Sequence, residues 1–426
     1  MAVCRDRLAS VGRVQRGLAG VSVAEEGTEA WWAALVYVLG QPSEVRRRAA
    51  WEAVAGTRGA GLEWAEVEAR VRAAERATMR TVQPAVTGLA GPVRSAGASG
   101  TGRSVKVWTE KEVVAAVRMG GEADLGGAEV VLTDVVGVVG AGTVGTIRNG
   151  TLRGVCPVPE GMHILGASER GELRLERVRV VGTGVCCAEG GRVTLLDTHV
   201  TDTPGPGVLC SGRGSKMVMQ GGCVMGLKES DGVYCLRGGQ VELIEVEIGD
   251  CQQCGVLSVG QGSRVVVGGG RITGSKEQHG VECQDGGRAE MREVVIADCK
   301  KYVVAGHGQG SKVVIQGGSI TGSKEGSGLA CAEGGQAEVR DVEIADCKKC
   351  GVVCNGQGSK VVIQGGSITG SKLFDGVACE QGGHAEVHGV VIHDCQQYGL
   401  CCDNISTLRH SGCTVSGCGK GARYNC

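Results

Sequence analysis

Two cysteine pairs have the spacing of half of a zinc site. They are CQQC at residues 251–254 and CKKC at residues 347–350. Two such pairs together could supply a Cys4 zinc site, if folding brings them to one point. A set of aspartates could in the same way gather around calcium, which binds several carboxylate oxygens. These aspartates recur at intervals of forty-eight residues: Asp202, Asp250, Asp298, Asp346 and Asp394.

The elements that position these residues follow from an internal repeat. The segment GQGSKVVIQGGSITGSK occurs at residues 308–324 and again, unchanged, at 356–372. Weaker copies occur at 212–228 and 260–276, so that all four are spaced by forty-eight residues. Self-similarity at a fixed period is typical of a solenoid, in which each repeat packs on its neighbours.

Each repeat divides into halves of twenty-three and twenty-five residues. Apolar residues alternate along the first half, as at Val233 and Cys235, and this period of two is that of a strand with one buried face. Glycine pairs such as Gly238 and Gly239 mark the bends, where a positive φ costs glycine little. The pattern therefore predicts that each half forms one rung of a parallel β-helix, with three short strands and three turns.

First halves such as GVYCLRGGQVELIEVEIGDCQQC share the form G-V-x-x-x-x-G-G-x-x-x-V-x-x-x-x-I-x-x-C-x-x-x-G. This form resembles the repeats of the pectate-lyase-like superfamily, and the resemblance covers residues from about 128 to 423. It implies an all-β solenoid, a right-handed single-stranded parallel β-helix. It says little about function, because that superfamily includes lyases, hydrolases and inert binding scaffolds.

Stacked rungs lie roughly 4.8 Å apart, so equivalent residues form columns along the solenoid. The two cysteine pairs are then four rungs apart, about 19 Å, which is too far for one zinc ion. The aspartates recur at every second rung, roughly 9.6 Å apart, which is too far for a shared calcium ion. We therefore predict that the CxxC pairs are structural and that the aspartates pair with lysines or cap turns.

A third set of cysteines forms one column on the buried face of a strand. Its members are Cys187, Cys210, Cys235, Cys283, Cys331, Cys354, Cys379 and Cys402. Adjacent rungs place their Cα atoms within disulfide range, so cross-links are geometrically conceivable. The favoured interpretation is that these thiols fill a narrow core, since buried cysteine packs as a small apolar side chain.

His307 lies in GHG at residues 306–308, which resembles the catalytic histidine motif of polygalacturonases. Those enzymes also need clustered aspartates and a downstream Arg-x-Lys, which this chain lacks. His307 aligns with Val259 and Asn355 in other copies, so we interpret it as a variable turn residue. Further columns predict a solvated surface striped with both signs of charge. They are Glu242, Glu290, Glu338 and Glu386, and Lys216, Arg264, Lys312 and Lys360.

Residues 1–95 lack the repeat and predict a small helical region, because runs such as EWAEVEARVRAAER favour helices. Residues 96–127 are predicted to be a linker and an N-terminal cap, with a short helix in VKVWTEKEVVAAVRMGG, and residues 128–426 to be the solenoid. AVCRDRL followed by EAWWAALVYVLG resembles the latter part of an F-box, the helical module that recruits a ubiquitin-ligase core. The leading Leu-Pro element of that motif is absent, so the favoured interpretation is a helical cap or a dimerisation segment.

Bulk composition disfavours several classes of function. The chain has 45 basic and 46 acidic residues, so it offers no strong field to nucleic acid or to anionic lipid. The chain contains no run of eighteen apolar residues, so no transmembrane helix is expected. Its first residues lack the apolar core of a secretory signal peptide. We therefore expect the cytoplasm or another reducing compartment, with the 22 cysteines as thiols.

The sequence assembles no nucleophile, base and oxyanion donor, so it predicts no catalytic, metal or cofactor-binding residue. We expect a non-catalytic scaffold that presents a charge-striped face to a macromolecular partner, preferably a protein. Ubiquitin-ligase core subunits are a further expected partner, through the N-terminal region. The alternative is a carbohydrate-active enzyme, either a polysaccharide lyase or a glycoside hydrolase, with a polysaccharide as substrate. Nucleic acid and membranes are not expected as partners.

Overall fold

Alternating apolar side chains fold the chain into a parallel β-solenoid. The structure, a computed structural model, describes residues 107–133, 135–155 and 165–425. The helices and the F-box segment predicted within residues 1–95 lie outside this part. Strands of successive rungs pair in parallel and in register, so that Val233 is opposite Val256 and Val256 is opposite Val281. These partners are 23 and 25 residues apart, which confirms the predicted alternation of rung lengths.

The strands form two parallel sheets, and strand labels follow the order of the chain. The sheet of thirteen strands consists of β3 (Val136–Val139), β5 (Leu165–Ser168), β7 (Val185–Ala188), β9 (Val208–Ser211), β11 (Val233–Leu236), β14 (Val256–Val259), β17 (Val281–Gln284), β19 (Val304–His307), β21 (Leu329–Ala332), β24 (Val352–Asn355), β27 (Val377–Glu380), β30 (Tyr398–Cys402) and β33 (Gly421–Asn425).

The sheet of twenty strands receives the other two segments of each rung. It consists of β1 (Glu122–Asp124), β2 (Glu129–Leu132), β4 (Val144–Gly154), β6 (Glu172–Val181), β8 (Arg192–Thr201), β10 (Lys216–Met225), β12 (Gln240–Ile244), β13 (Glu247–Gly249), β15 (Arg264–Gly268), β16 (Arg271–Thr273), β18 (Arg288–Ala297), β20 (Lys312–Thr321), β22 (Gln336–Arg340), β23 (Glu343–Ala345), β25 (Lys360–Gln364), β26 (Ser367–Thr369), β28 (His384–His388), β29 (Val391–His393), β31 (Thr407–Ser411) and β32 (Thr414–Ser416).

The predicted three strands per rung are confirmed, for example as β11, β12 and β13. In other rungs the two segments of the larger sheet run on as one strand of ten residues, such as β18. The chain still bends inside β18, because Glu293 has a left-handed φ of 52°. Rungs with two short strands and rungs with one long strand in this sheet therefore bend at the same position.

A short helix, α1 (Glu110–Arg118), precedes the first strand, as the sequence predicts for the cap. It begins at a capping box, in which Thr109 and Glu112 each satisfy a backbone N–H of the other. Val113 and Val117 are fully buried and belong to the same apolar core as the first rungs. Among the described residues, no helix has the length and apolar character needed to cross a membrane.

The serine of the repeated GQGS segment makes the same two hydrogen bonds in different copies of the repeat. The Ser359 hydroxyl donates to the Asn355 carbonyl at 2.7 Å and accepts the Gly334 N–H of the preceding rung at 3.1 Å. Ser263 makes the same two contacts, with Val259 and with Gly238. Each such serine is buried, so its hydroxyl satisfies a backbone group that water cannot reach.

Candidate functional site

The predicted charge stripes lie on the outer face of the twenty-stranded sheet, but they pair with each other. The nitrogen–oxygen distances are 3.4 Å for Lys216 and Glu242, 2.7 Å for Arg264 and Glu290, 2.5 Å for Lys312 and Glu338, and 3.0 Å for Lys360 and Glu386. Each pair joins adjacent rungs at the surface, where an ion pair contributes at most about 1 kcal/mol. The stripes therefore offer a partner fewer unpaired charges than the sequence suggests.

The aspartate column also behaves as predicted, since two members pair with lysines. Lys276 Nζ lies 2.7 Å from Asp250 Oδ1, and Lys372 Nζ lies 3.6 Å from Asp346 Oδ1. All five aspartates have a left-handed backbone, with φ between 54° and 58° at this turn. Asparagine and aspartate tolerate that conformation better than other residues with a side chain, so the column marks a turn.

The cysteine column points inward as predicted, and its thiols are free. The Cys235 thiol donates to the Gly239 carbonyl at 3.0 Å, and Cys187 does the same with Gly191. Burial raises the pKa of the Cys283 thiol well above its ordinary value. These side chains fill the core as small apolar groups.

The two CxxC pairs do not meet. Cys251 and Cys347 are buried in one column of the core, and Cys254 and Cys350 are buried in another. Burial raises the pKa of the Cys347 and Cys350 thiols to about 12. In the part of the chain that the structure describes, no group of three or more His, Cys, Asp or Glu side chains is arranged to hold a metal ion.

His307 is not in a turn; it is the last residue of β19 and contacts a buried carboxylate. Its Nδ1 lies 3.0 Å from Glu282 Oε1, and Glu282 is only 6% exposed. The opposite oxygen, Oε2, accepts the Cys254 thiol at 3.3 Å. We call the group formed by Cys254, His279, Glu282, Tyr302 and His307 the Glu282 cluster.

His279 completes the cluster from the loop between β16 and β17. Its Nε2 lies 3.8 Å from Glu282 Oε1, and its Nδ1 accepts the Tyr302 backbone N–H at 3.2 Å. The Tyr302 ring stacks on the His279 ring, with centroids 5.2 Å apart, and covers it. Side chains of three adjacent rungs thus enclose one carboxylate, and the repeat departs from its pattern in two of these rungs, at His279, Glu282 and His307.

The charge states in the cluster follow from burial. Burial lowers the pKa of His279 to about 4, so this imidazole is neutral at pH 7. Burial also acts to raise the pKa of Glu282, but His279 and the hydrogen bond from His307 lower it well below its usual range. Burial, together with Glu282, raises the pKa of Cys254 well above normal, so the thiol stays protonated and donates.

Sequence reasoning missed Glu282, although one signal was present. The outward position of β17 holds Glu282, whereas the same position of its neighbours holds Leu257, Ala305 and Ala330. A single charged residue in an otherwise apolar column indicates a local change of environment. The contact between Glu282 and His307 joins different halves of the repeat, so a comparison of equivalent halves does not reveal it.

Acid should destabilise the solenoid through His279. The pKa of this imidazole is about 4 in the folded protein and 6.5 as its ordinary value. Between these values the unfolded chain binds more protons, so the free energy of unfolding falls as the pH is lowered. Between pH 7 and pH 5 we expect His279 to account for a loss of about 2 kcal/mol.

Urea unfolding at the two pH values measures this loss. The matched control is His279→Ser, because Ser327 occupies the same position two rungs later. The variant should lose less stability on acidification than the wild type. Equal losses would show that His279 is not the group that responds.

A second irregularity lies on the row of loops that lead from the twenty-stranded sheet to the thirteen-stranded sheet. We call this row the loop edge. It comprises residues 250–255, 274–280, 298–303, 322–328, 346–351, 370–376 and 394–397. Leu373 is 43% exposed and Phe374, the single phenylalanine of the chain, is 41% exposed. The corresponding residues of the preceding double repeat are Glu325 and Gly326.

Basic side chains lie on the loops that neighbour Leu373 and Phe374. Lys348 and Lys349 are exposed on the adjacent loop, and neither has a carboxylate partner among the described residues. Two rungs further on, Lys420 Nζ lies 5.8 Å from the centroid of the Tyr398 ring and donates to Gln397 on the intervening rung. The Gln397 amide in turn donates to the Leu373 carbonyl at 3.1 Å, which holds the loop in place.

Comparison with known families decides the hand of the solenoid. Residues 231–388 and 279–425 match the family model described as the right handed beta helix region. The solenoid is a right-handed parallel β-helix. This β-helix is similar in structure to the A-module of the Azotobacter vinelandii mannuronan C-5 epimerase AlgE6, at 13% sequence identity and a TM-score of 0.44. That alignment covers 70% of this chain and 91% of the epimerase module.

No curated protein matches the β-helix or the rest of the chain by sequence. The F-box interpretation of the segments within residues 1–95 receives no support from the family comparison, which matches the right-handed β-helix alone.

Proposed function

We propose that this β-helix is a scaffold that binds a protein partner through its loop edge. The observation that carries the proposal is the exposed pair Leu373 and Phe374. In a chain with so few aromatic residues, a phenylalanine that replaces a glycine of the repeat adds apolar surface where packing does not require it. Aromatic and aliphatic anchors of this kind supply much of the binding energy in protein interfaces.

The chemistry of the partner follows from the charge around the anchors. Lys348 and Lys349 leave positive charge beside Phe374, whereas the stripes on the sheet face are neutralised by their own pairs. A partner segment with an apolar side chain and flanking carboxylates is complementary to this part of the loop edge. The loop edge therefore suits a protein better than the sheet face does.

The test uses the repeat as its own control. In Leu373→Glu with Phe374→Gln, the loop takes the sequence of Glu277 and Gln278, which the same fold already accommodates. Proteins captured by the tagged full chain from its native cells are identified, and the dissociation constant of each is then measured with purified components. We expect the double variant to weaken binding at least about tenfold, since the loss of one anchor costs about 2 kcal/mol.

Charge reversal at Lys348 and Lys349 should also weaken binding, and its effect should shrink at high salt. Equal affinity of the wild type and of both variants would overturn the proposal. Failure to capture any protein that binds the purified chain would overturn it as well.

A second candidate function is that of a carbohydrate-active enzyme, and one observation favours it. Glu282 orients His307, whose ring is 28% exposed, as a carboxylate orients the general base of many hydrolytic sites. If the chain cleaves a polysaccharide, His307→Ala should reduce the rate at least about a hundredfold. A panel of acidic and neutral polysaccharides, assayed for new reducing ends and for unsaturated products, tests this.

A further inference from the structure

A column of charged and polar side chains that includes a cysteine lies on the outer face of the twenty-stranded sheet. It is far along the chain from the loop edge at Phe374. Successive strands bring the column into register: Arg179 on β6, His199 on β8, Cys223 on β10, Glu247 on β13 and Arg271 on β16. Adjacent members are about one strand spacing, roughly 4.8 Å, apart.

The central pair of this column is a thiol and an imidazole in contact. His199 Nδ1 lies 3.1 Å from Cys223 Sγ. His199 is exposed and Cys223 is partly exposed, whereas most of the described cysteines are buried in the core. The residues before Cys223 are Gly221 and Gly222, so its own strand places no side chain over the thiol on that side. A small molecule can therefore reach the sulfur.

The thiol of Cys223 is neutral in the resting state of this pair. Burial, reinforced by Glu247, raises the pKa of Cys223, and Arg179 acts in the opposite direction. A protonated thiol can donate, and Nδ1 of His199 is within hydrogen-bond distance to accept its proton. Because the thiolate is the nucleophile, a reaction at Cys223 needs a base, and His199 is in contact to serve as one.

We propose that Cys223 is a modification site that exchanges with a small disulfide carrying carboxylates. His199 accepts the thiol proton, and the sulfur of Cys223 forms a bond to one sulfur of the disulfide. The bond between the two sulfurs of the small molecule breaks, its electron pair leaves on the departing sulfur, and that sulfur takes the proton from His199. Cys223 is thereby oxidised to a mixed disulfide, while half of the small disulfide is reduced to a thiol.

The two arginines define the class of molecule. Arg179 and Arg271 each lie two rungs from Cys223, on opposite sides, so their backbone positions are about 10 Å away in both directions along the column. Guanidinium binds carboxylate with two parallel hydrogen bonds. A disulfide with carboxylates on both arms can engage both arginines and keep its sulfurs above Cys223, despite the single opposing charge of Glu247.

The experiment measures the rate of mixed-disulfide formation with glutathione disulfide on the full chain, by mass spectrometry of acid-trapped peptides. Cys413 is the internal control, because it is partly exposed and its thiol donates to the Val387 carbonyl rather than to a histidine. We expect Cys223 to react about tenfold faster than Cys413, and His199→Asn to remove that advantage. Cys223→Ser, which matches Ser319 of a later repeat, confirms the peptide assignment.

The arginines are tested by changing the reagent. Arg179→Gln combined with Arg271→Gln should slow the reaction with glutathione disulfide but not with the uncharged bis(2-hydroxyethyl) disulfide. Unchanged thermal midpoints show that each variant is folded. A Cys223 rate no greater than that of Cys413, or a rate indifferent to His199→Asn, overturns the proposal; equal slowing with both reagents overturns the role of the arginines.

Discussion

Replacing Gly270 by alanine is expected to destabilise the solenoid by roughly 3 kcal/mol or more. Gly270 has a φ of +80°, and a Cβ atom added there would lie 2.2 Å from the Val246 carbonyl oxygen of the preceding rung. That oxygen cannot retreat without loss, because it accepts the Arg271 N–H at 3.1 Å in the ladder between rungs. The substitution therefore combines backbone strain with a collision against backbone.

The matched control stands two residues earlier in the same GGG triplet. A Cβ atom at Gly268 would meet nothing within 4 Å, and its backbone is not left-handed, so Gly268→Ala should be close to neutral. Urea unfolding followed by circular dichroism at one temperature compares the two variants with the wild type. Similar stabilities for both variants would mean that the rungs can separate enough to accept the side chain.

The second large effect on stability is expected from substitutions in the Glu282 cluster. His307→Ala should cost about 3 kcal/mol, because it leaves a buried carboxylate without the hydrogen bond at 3.0 Å that His307 supplies. Adding Glu282→Ala should recover much of that cost, because the buried charge is then gone as well. The rung of β21 carries Ala330 and Ala332 at these two positions, so the backbone accepts both alanines.

A double-mutant cycle measures the coupling between the two residues. Free energies of unfolding are needed for the wild type, for His307→Ala, for Glu282→Ala and for the double variant. We expect a coupling energy of about 2 kcal/mol at pH 7. Additive effects would show that Glu282 draws its stabilisation from other groups, such as the Cys254 thiol.

Most of the solenoid could be predicted, because every internal rung has the same neighbours. The period of forty-eight residues fixes the column in which each residue stands, so the inward direction of Cys235 and the separation of the two CxxC pairs followed without a structure. The sequence predicted that the aspartates pair with lysines or cap turns, and Asp250 pairs with Lys276. Handedness did not follow from periodicity; it rested on the resemblance to a family and then on the match to a family model.

The candidate sites were less predictable, because they occur where the repeat changes. His307 was interpreted as a turn residue, since its equivalents vary, and only the position of β19 beside β17 shows that it contacts Glu282. The Cys223 and His199 pair likewise joins a residue of one repeat to a residue twenty-four positions earlier. The period specifies which residues share a column, but whether their side chains touch depends on side-chain direction, which the period does not specify.

The sequence by itself determined the architecture of this protein: strands of period two, rungs of 23 and 25 residues, and an apolar core lined with thiols. Tertiary structure alone decided which charges remain available. It paired Lys360 with Glu386, buried Glu282 under His279 and Tyr302, and left Phe374 in solvent. The reason is that periodicity specifies the backbone path, whereas burial and pairing depend on the side chains of adjacent rungs, whose contacts arise only once the rungs stack.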